Sequence, residues 1–208
     1  MIIVPLFDLK HNIETGIYTI ITLVAIRCPL CGGIVRFRDR KSRKVKRSGG
    51  EVWHFRLRRM LCEECETLHT EIPEIIQPYK HYDSETIQGV IDGTDDSLVC
   101  TADDSTIHRW KTEFSKATTE IAQRLASVNP NETVENESQV SFPQTLESVR
   151  DTEPYWLAYV MHLLISNGHQ LCTQFAFRPL ETTGRIHNTG NNRHGRSFDS
   201  GKTHTETG

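Results

Sequence analysis

Two cysteine pairs, Cys28-Pro-Leu-Cys31-Gly-Gly and Cys62-Glu-Glu-Cys65-Glu, decide how the first third of this 208-residue chain folds. Each pair places two thiols on one tight turn, and 30 residues separate the pairs. Four thiolates at this spacing suit the tetrahedral sulfur site that zinc prefers, so we expect one structural zinc ion per chain. The alternative, a redox-active Cys-x-x-Cys, needs a single pair inside a strand-helix-strand pattern, which is not seen here.

The residues that follow the two pairs differ. Gly32 can adopt a positive φ, which lets backbone amides point at the sulfurs. Glu66 takes the corresponding place in the second pair, where a left-handed conformation would cost about 1–2 kcal/mol. His69, four residues past Cys65, could replace a thiolate. Because four cysteines are already available, we expect it instead to pack beside a ligand.

The sequence between the pairs predicts a β-hairpin. Residues 34–40 and 52–61 alternate with period two, the pattern of strands that have one covered face. The odd positions are mostly apolar: Val35, Phe37, Trp53, Phe55, Leu57 and Leu61. The even positions are basic: Arg36, Arg38, Arg40, His54, Arg56 and Arg58. We therefore predict one apolar and one basic face, joined by a loop over residues 41–50.

Positive charge is concentrated in this hairpin. The chain has a net charge of −3, yet residues 27–59 hold 12 of its 24 Lys and Arg and only two acids. Such a block favours a polyanion partner, because phosphate contacts supply affinity without sequence information. The alternative is an ordinary solvated surface. The candidate phosphate-binding residues are Arg36, Arg38, Arg40, Lys41, Arg43, Lys44, Lys46, Arg47, Arg56 and Arg58.

A helical region follows the hairpin. Residues 83–91 have the chemistry of a helix start and a short apolar stripe. Asp103-Asp104-Ser105 then offers caps for a longer helix with apolar side chains at three- and four-residue steps: Ile107, Trp110, Phe114, Ala117, Ile121 and Leu125. Its opposite face could contact base edges in a major groove through Ser105, Thr106, His108, Arg109 and Thr112. The alternative is a plain amphipathic helix.

These patterns predict an α+β protein built from several small segments. Residues 154–177 form an apolar helical segment whose stripe around Trp156 is either core or a dimer contact. Residues 178–208 hold too few large apolar side chains to order, so we predict a disordered tail. The expected segments are a strand-rich start at 1–27, a zinc ribbon at 28–78, a helix-turn-helix-like region at 79–127, a linker at 128–153, the apolar helical segment and the tail.

The ordered spacing of several short motifs resembles a known family. These motifs are Cys28-Pro-Leu-Cys31-Gly32, 57–65 with the second cysteine pair, Thr67-Leu68-His69 with Pro73, 78–82, and 102–110. Together they resemble a bacterial family of uncharacterised proteins, mostly from Firmicutes and mobile elements, that join a transposase-type zinc ribbon to a helix-turn-helix. The resemblance covers residues 1 to about 125. It implies DNA binding in transposition or its regulation, and it does not imply catalysis.

We therefore expect a zinc-stabilised, non-catalytic DNA-binding protein of mobile-element origin. A homodimer would double a weak single-module affinity. The alternative function is an adaptor that binds a separately encoded transposase or recombinase, or RNA. An enzyme is not expected, because a four-thiolate zinc leaves no coordination position for a substrate. With no secretory signal and no span of about 20 apolar residues, we expect a cytoplasmic protein without membrane contact, associated with the nucleoid when bound.

Overall fold

The computed structural model describes residues 1–94, 100–128 and 145–179. This part of the chain has the predicted α+β composition, with six strands and four α-helices. The strands are β1 (Ile2–Val4), β2 (Phe7–Asn12), β3 (Ile17–Thr22), β4 (Val35–Lys46), β5 (Val52–Cys62) and β6 (Leu68–Pro73). The helices are α1 (Ser84–Asp92), α2 (Asp104–Ser127), α3 (Leu146–Thr152) and α4 (Trp156–Ser166). All but the first two residues of the predicted disordered tail lie outside the described residues.

Strand β5 is the centre of the sheet. It pairs antiparallel with β4 from Val52 to Cys62, which confirms the predicted hairpin. Two strands share its other side: β3 runs parallel to it at His54 and Phe55, and β6 runs antiparallel to it from Arg59 to Leu61. Beyond them, β2 pairs with β3 and β1 pairs with β6. The hairpin is thus built into a larger sheet.

The first hairpin strand is longer than the sequence predicted. Residues 41–50 were expected to form a loop, but β4 continues to Lys46 and only a tight turn with a 3-10 segment at Ser48–Gly50 joins it to β5. The loop prediction was wrong because it followed the charges rather than the alternation. Val45 keeps the period-two pattern and is buried, which holds this end of β4 on the core.

A β-bulge divides the predicted basic face. The β4–β5 register shifts between Phe37 and Asp39. Even-numbered residues before the bulge and even-numbered residues after it therefore lie on opposite faces of the sheet. Arg36 is paired with Leu61, whereas Arg40 is paired with Arg58 on the other face. The prediction of a single basic face was therefore wrong. Period-two counting cannot detect one inserted residue.

The helices cover one side of the sheet and share its core. Helix α1 begins at the predicted cap, where Asp83 accepts a hydrogen bond from the Thr86 N–H. The predicted stripe of α2 is confirmed, with Ile107 partly buried against the core and the other five side chains buried. Residues 93–103 join α1 to α2, a connection longer than the three or four residues of a helix-turn-helix turn.

The C-terminal helices complete this core. Helix α3 lies within the predicted linker, and it buries Leu146 and Val149. On α4, Trp156 is buried and donates its indole N–H to Asp92 of α1 at 2.8 Å. Trp156 is therefore part of the core, which is the first of the two alternatives predicted for this stripe.

One hydrophobic cluster joins most of the segments that the sequence separated. It includes Ile3 from the N-terminal segment, Leu57 from the hairpin, Trp110 from α2 and Leu164 from α4. A smaller cluster of Ile2, Val4 and Met60 lies nearer the cysteines. No helix in the described ranges is long and apolar enough to cross a membrane.

Candidate metal centre and nucleic-acid interface

The four predicted ligands meet at one end of the β4–β5 hairpin. The sulfur atoms of Cys28, Cys31, Cys62 and Cys65 all lie within 4.8 Å of one another. The distance from Cys28 Sγ to Cys65 Sγ is 3.6 Å, and that from Cys31 Sγ to Cys62 Sγ is 3.5 Å. Zn–S bonds of about 2.3 Å place tetrahedral sulfurs about 3.8 Å apart. The cluster therefore fits a tetrahedral metal ion.

Backbone hydrogen bonds shape both turns that carry the thiols. In the first turn, the Gly32 N–H donates to the Cys28 carbonyl at 2.8 Å, and Gly32 has a φ of 74°. In the second turn, the Cys62 N–H donates to the Thr67 carbonyl at 3.0 Å, and Glu66 has a φ of 55°. The second turn therefore adopts the left-handed conformation in spite of its cost, and the residue that adopts it is a glutamate.

His69 supports the cluster from outside. It is 1% exposed, and its Nε2 lies 3.3 Å from Cys28 Sγ. The Met1 amino group lies 2.8 Å from Nδ1 on the other side of the ring. With the amine as donor to Nδ1, the ring proton lies on Nε2 and points at the Cys28 sulfur. This agrees with the predicted role of His69 beside a ligand.

The surroundings of the thiols shift their pKa values in different directions. Burial raises the pKa of the Cys28 thiol. The Thr67 hydroxyl lies 3.3 Å from Cys65 Sγ, and hydrogen bonding to it lowers the pKa of that thiol to about 6. Burial and the nearby Met1 amine lower the pKa of His69 to about 4, so its imidazole is neutral at pH 7. A neutral imidazole can donate to a thiolate without adding charge.

The ten predicted phosphate-binding cations fall into two groups. The first group is exposed at the outer edge of the sheet or beside it: Arg36, Arg38, Arg40, Lys41, Lys44, Lys46 and Arg56. The only acidic partner that the structure describes for this group is Asp39, 3.9 Å from the Arg38 guanidinium. Arg40 and Lys46 also lie over the rings of Phe37 and Tyr82, at 5.0 Å and 5.3 Å from their centroids.

The second group binds within the protein. Arg43 donates to the backbone carbonyls of Gln77 and Lys80, at 2.7 Å and 2.6 Å. Arg47 donates to Asp83 at 3.1 Å and stacks on the Trp53 ring at 4.3 Å. These contacts attach the hairpin to the segment before α1, so both side chains have structural partners.

Arg58 belongs to this second group and makes the most buried ion pair of the hairpin. Its guanidinium donates two hydrogen bonds to the Glu71 carboxylate, at 2.5 Å and 2.7 Å. Glu71 is completely buried, and the Thr22 hydroxyl also contacts it. The pair ties β5 to β6 and β3. No period-two pattern in the sequence could have shown this contact, because it depends on three strands meeting.

The candidate base-reading face of α2 is partly used for capping. The Asp103 carboxylate accepts hydrogen bonds from the Thr106 N–H at 2.8 Å and the Thr106 hydroxyl at 3.0 Å, and from the Ser105 hydroxyl. These bonds lower the pKa of Asp103 to about 2. His108 and Arg109 are exposed, whereas Thr112 is half-buried with its hydroxyl 3.5 Å from His108 Nε2.

The fold brings the hairpin tip to the start of α2. Gly50, at the hairpin tip, lies beside Thr101: a Cβ atom added to Gly50 would be 3.2 Å from the Thr101 methyl group. Thr101 is three residues before Asp104, where α2 begins. The cysteine cluster lies at the other end of β5, about 33 Å away at about 3.3 Å per residue. The exposed cations of β4 therefore extend between the cysteine cluster and the N-terminus of α2.

These features define a mixed α+β protein with a four-cysteine, metal-competent cluster. Residues 28–110 match a protein-family model described as a domain of unknown function (DUF6431). The match begins at the first cysteine of the cluster and ends at Trp110 in α2, so it spans the hairpin, β6 and α1. No curated protein and no solved structure matches the chain.

Proposed function

We propose that this protein is a zinc-stabilised, non-catalytic DNA-binding protein that uses its β4–β5 hairpin to contact phosphates. The observation that carries the proposal is the set of exposed cations on the edge strand β4. Arg40 and Lys44 share one face with Arg56 of β5, and Arg36 and Lys41 lie on the other face, with Arg38 at the bulge between them. Phosphate contacts come from cations that solvent can reach, and a rigid element holds such cations in place. The cluster at one end of the hairpin supplies that rigidity.

Zinc is the metal that the donor set favours. Four thiolates at these separations suit a tetrahedral ion, and soft sulfur ligands select zinc over calcium or magnesium. A site with four protein ligands leaves no position for a substrate, which supports a structural role rather than catalysis. When bound, the ion would hold the two cysteine turns together.

Helix α2 is the candidate for base recognition. His108 and Arg109 are exposed near its N-terminus, and the hairpin tip lies close to the same end. Arginine can donate two hydrogen bonds to guanine in the major groove. Ser105 and Thr106 contribute less in this proposal, because their hydroxyls are bonded to Asp103. A role in transposition or its regulation rests on the family resemblance alone.

A charged edge strand has another explanation. Lysine and arginine on an edge discourage pairing with other chains, so the β4 cations could serve solubility. Salt dependence separates the two explanations. If the cations bind phosphates, the logarithm of the affinity falls linearly with the logarithm of the salt concentration, with a slope of about −0.9 per neutralised phosphate.

The test compares the full chain with a variant in which Arg36, Arg40, Lys44 and Arg56 are replaced by Gln. We expect weaker binding to every duplex sequence and a slope flatter by about 0.9 for each phosphate that the variant no longer neutralises. The four changes are also made singly, and the control for each is Arg178→Gln, which removes one exposed cation from the C-terminal segment. An unchanged slope in the fourfold variant, or an equally weakened control, would overturn the proposal.

A further inference from the structure

Strand β2 ends the sheet with an unprotected edge. It contains six residues, its register with β3 has no bulge, and no described strand pairs with its outer side. It contains no proline, and five of its six residues are exposed. An edge of this kind offers a row of free N–H and C=O groups to another strand.

The residues that offer these groups can be identified. The Leu23 N–H donates to the Leu6 carbonyl at 3.1 Å, so Leu6 directs its carbonyl toward β3. Backbone direction alternates along an antiparallel strand. Asp8 and Lys10 therefore also bond toward β3, while Phe7, Leu9 and His11 direct their N–H and C=O groups outward.

One symmetric register satisfies all of these outward groups. If a second copy of β2 pairs antiparallel with the two-fold axis at Leu9, Leu9 faces Leu9 of the other copy and Phe7 faces His11. These are the hydrogen-bonded pairs of the new ladder. Asp8 then faces Lys10 of the other copy at the non-hydrogen-bonded positions, where opposite side chains are closest.

Side-chain chemistry favours this partner. The Asp8–Lys10 pair occurs twice across the axis, so the edge is complementary in charge to itself. Leu9 is 38% exposed and the neighbouring Leu6 is 58% exposed, and pairing would cover apolar surface at both. The other long edge, β4, carries a row of exposed cations, which would repel a second copy of the same strand.

We infer that β2 is a homodimerisation strand, which joins two copies of this chain into one continuous sheet across a two-fold axis at Leu9. The partner is a second copy rather than a different protein, because the register that satisfies the outward backbone groups also places opposite charges together. The interface is separate from the proposed DNA contacts on β4, and it does not depend on them.

Charge reversal tests the register. The association constant of the full chain is measured by analytical ultracentrifugation over a range of concentrations. Asp8→Lys and Lys10→Asp should each weaken the dimer about tenfold, because each places like charges opposite one another twice. The double variant, Asp8→Lys with Lys10→Asp, restores both pairs and should return the constant to within about twofold of wild type.

Two controls keep the test specific. Lys44→Asp makes a comparable charge reversal on β4 and should leave dimerisation unchanged. Hydrogen exchange at the Leu9 amide should slow as the protein concentration rises, because that amide is free in the monomer. A monomer at every concentration tested, or a dimer that the single variants do not weaken, would overturn the inference. So would protection of Leu9 independent of concentration, because another part of the chain would then cover the edge.

Discussion

Gly32 and Glu66 occupy the same place in the two cysteine turns, one residue after the second cysteine, and both have a left-handed backbone. Their φ values are 74° and 55°. The first turn uses the residue that adopts this conformation without strain, and the second uses one that does not. The two cysteine turns therefore share a left-handed residue at this position and differ in its conformational cost.

Glu66→Gly should stabilise the protein by about 1 kcal/mol, because it removes the left-handed strain of a side chain. The gain is partly offset by the greater freedom of glycine in the unfolded chain. Denaturant unfolding of the metal-loaded protein measures it. Glu63→Gly is the control: its φ is not positive, so glycine there should lower stability. Equal effects at the two positions would contradict the prediction.

Metal removal should unfold the cysteine end of the protein. We expect about one zinc per chain, and we expect chelation, Cys31→Ser or Cys65→Ser to disorder residues 28–70, because metal binding supplies folding energy at such sites. Elemental analysis and amide exchange measure these effects. Cys172→Ser removes an exposed cysteine outside the cluster and should change neither result. A zinc-free protein that keeps its fold in chelator would show that the thiols need no metal.

The variants Arg58→Gln and Arg56→Gln should differ in their effects on the free energy of unfolding and on DNA binding. Arg58→Gln leaves the buried Glu71 carboxylate without its partner and should cost about 3 kcal/mol. This is the low end of the range for buried pairs, since 33% of the Arg58 side chain is exposed. Arg56→Gln, two residues away, should change stability by less than about 0.5 kcal/mol. Denaturant unfolding and DNA titration are compared for both variants.

The opposite pattern is expected for binding. Arg56→Gln should flatten the salt slope, whereas Arg58→Gln should leave it unchanged under conditions where the variant is folded. If Arg58→Gln alters the slope and leaves stability intact, the guanidinium contacts DNA rather than Glu71.

His108→Ala and Arg109→Ala should reduce specificity. Each should cost about 1–3 kcal/mol on the preferred duplex and less on random DNA, because base contacts discriminate between sequences and phosphate contacts do not. Competition titrations with selected and random duplexes measure the difference. Thr119→Ala, at an exposed position further along α2, serves as the control. If binding to both duplexes is weakened equally, α2 makes no base contacts and is a plain amphipathic helix.

The elements that depend on local chemistry were predictable from the sequence. The two cysteine pairs predicted a cluster of four thiols, because Cys-x-x-Cys turns present both sulfurs on one side. The three- and four-residue steps from Trp110 to Leu125 predicted the buried face of α2, and Asp83 and Asp103 predicted where α1 and α2 begin. Each of these signals lies within a few residues, so no distant contact was needed to interpret it.

The contacts of the cations, in contrast, depend on long-range packing that the sequence pattern does not show. The bulge beside Phe37 moved Arg36 to the opposite face from Arg40, and the meeting of β3, β5 and β6 turned Arg58 into the partner of Glu71. Contacts with Asp92 and Phe114 place Trp156 in the core, an outcome that the sequence left open. These outcomes depend on residues far apart in the chain. The periodicity of a strand shows which residues share a face, but it does not show which distant residues pack against that face.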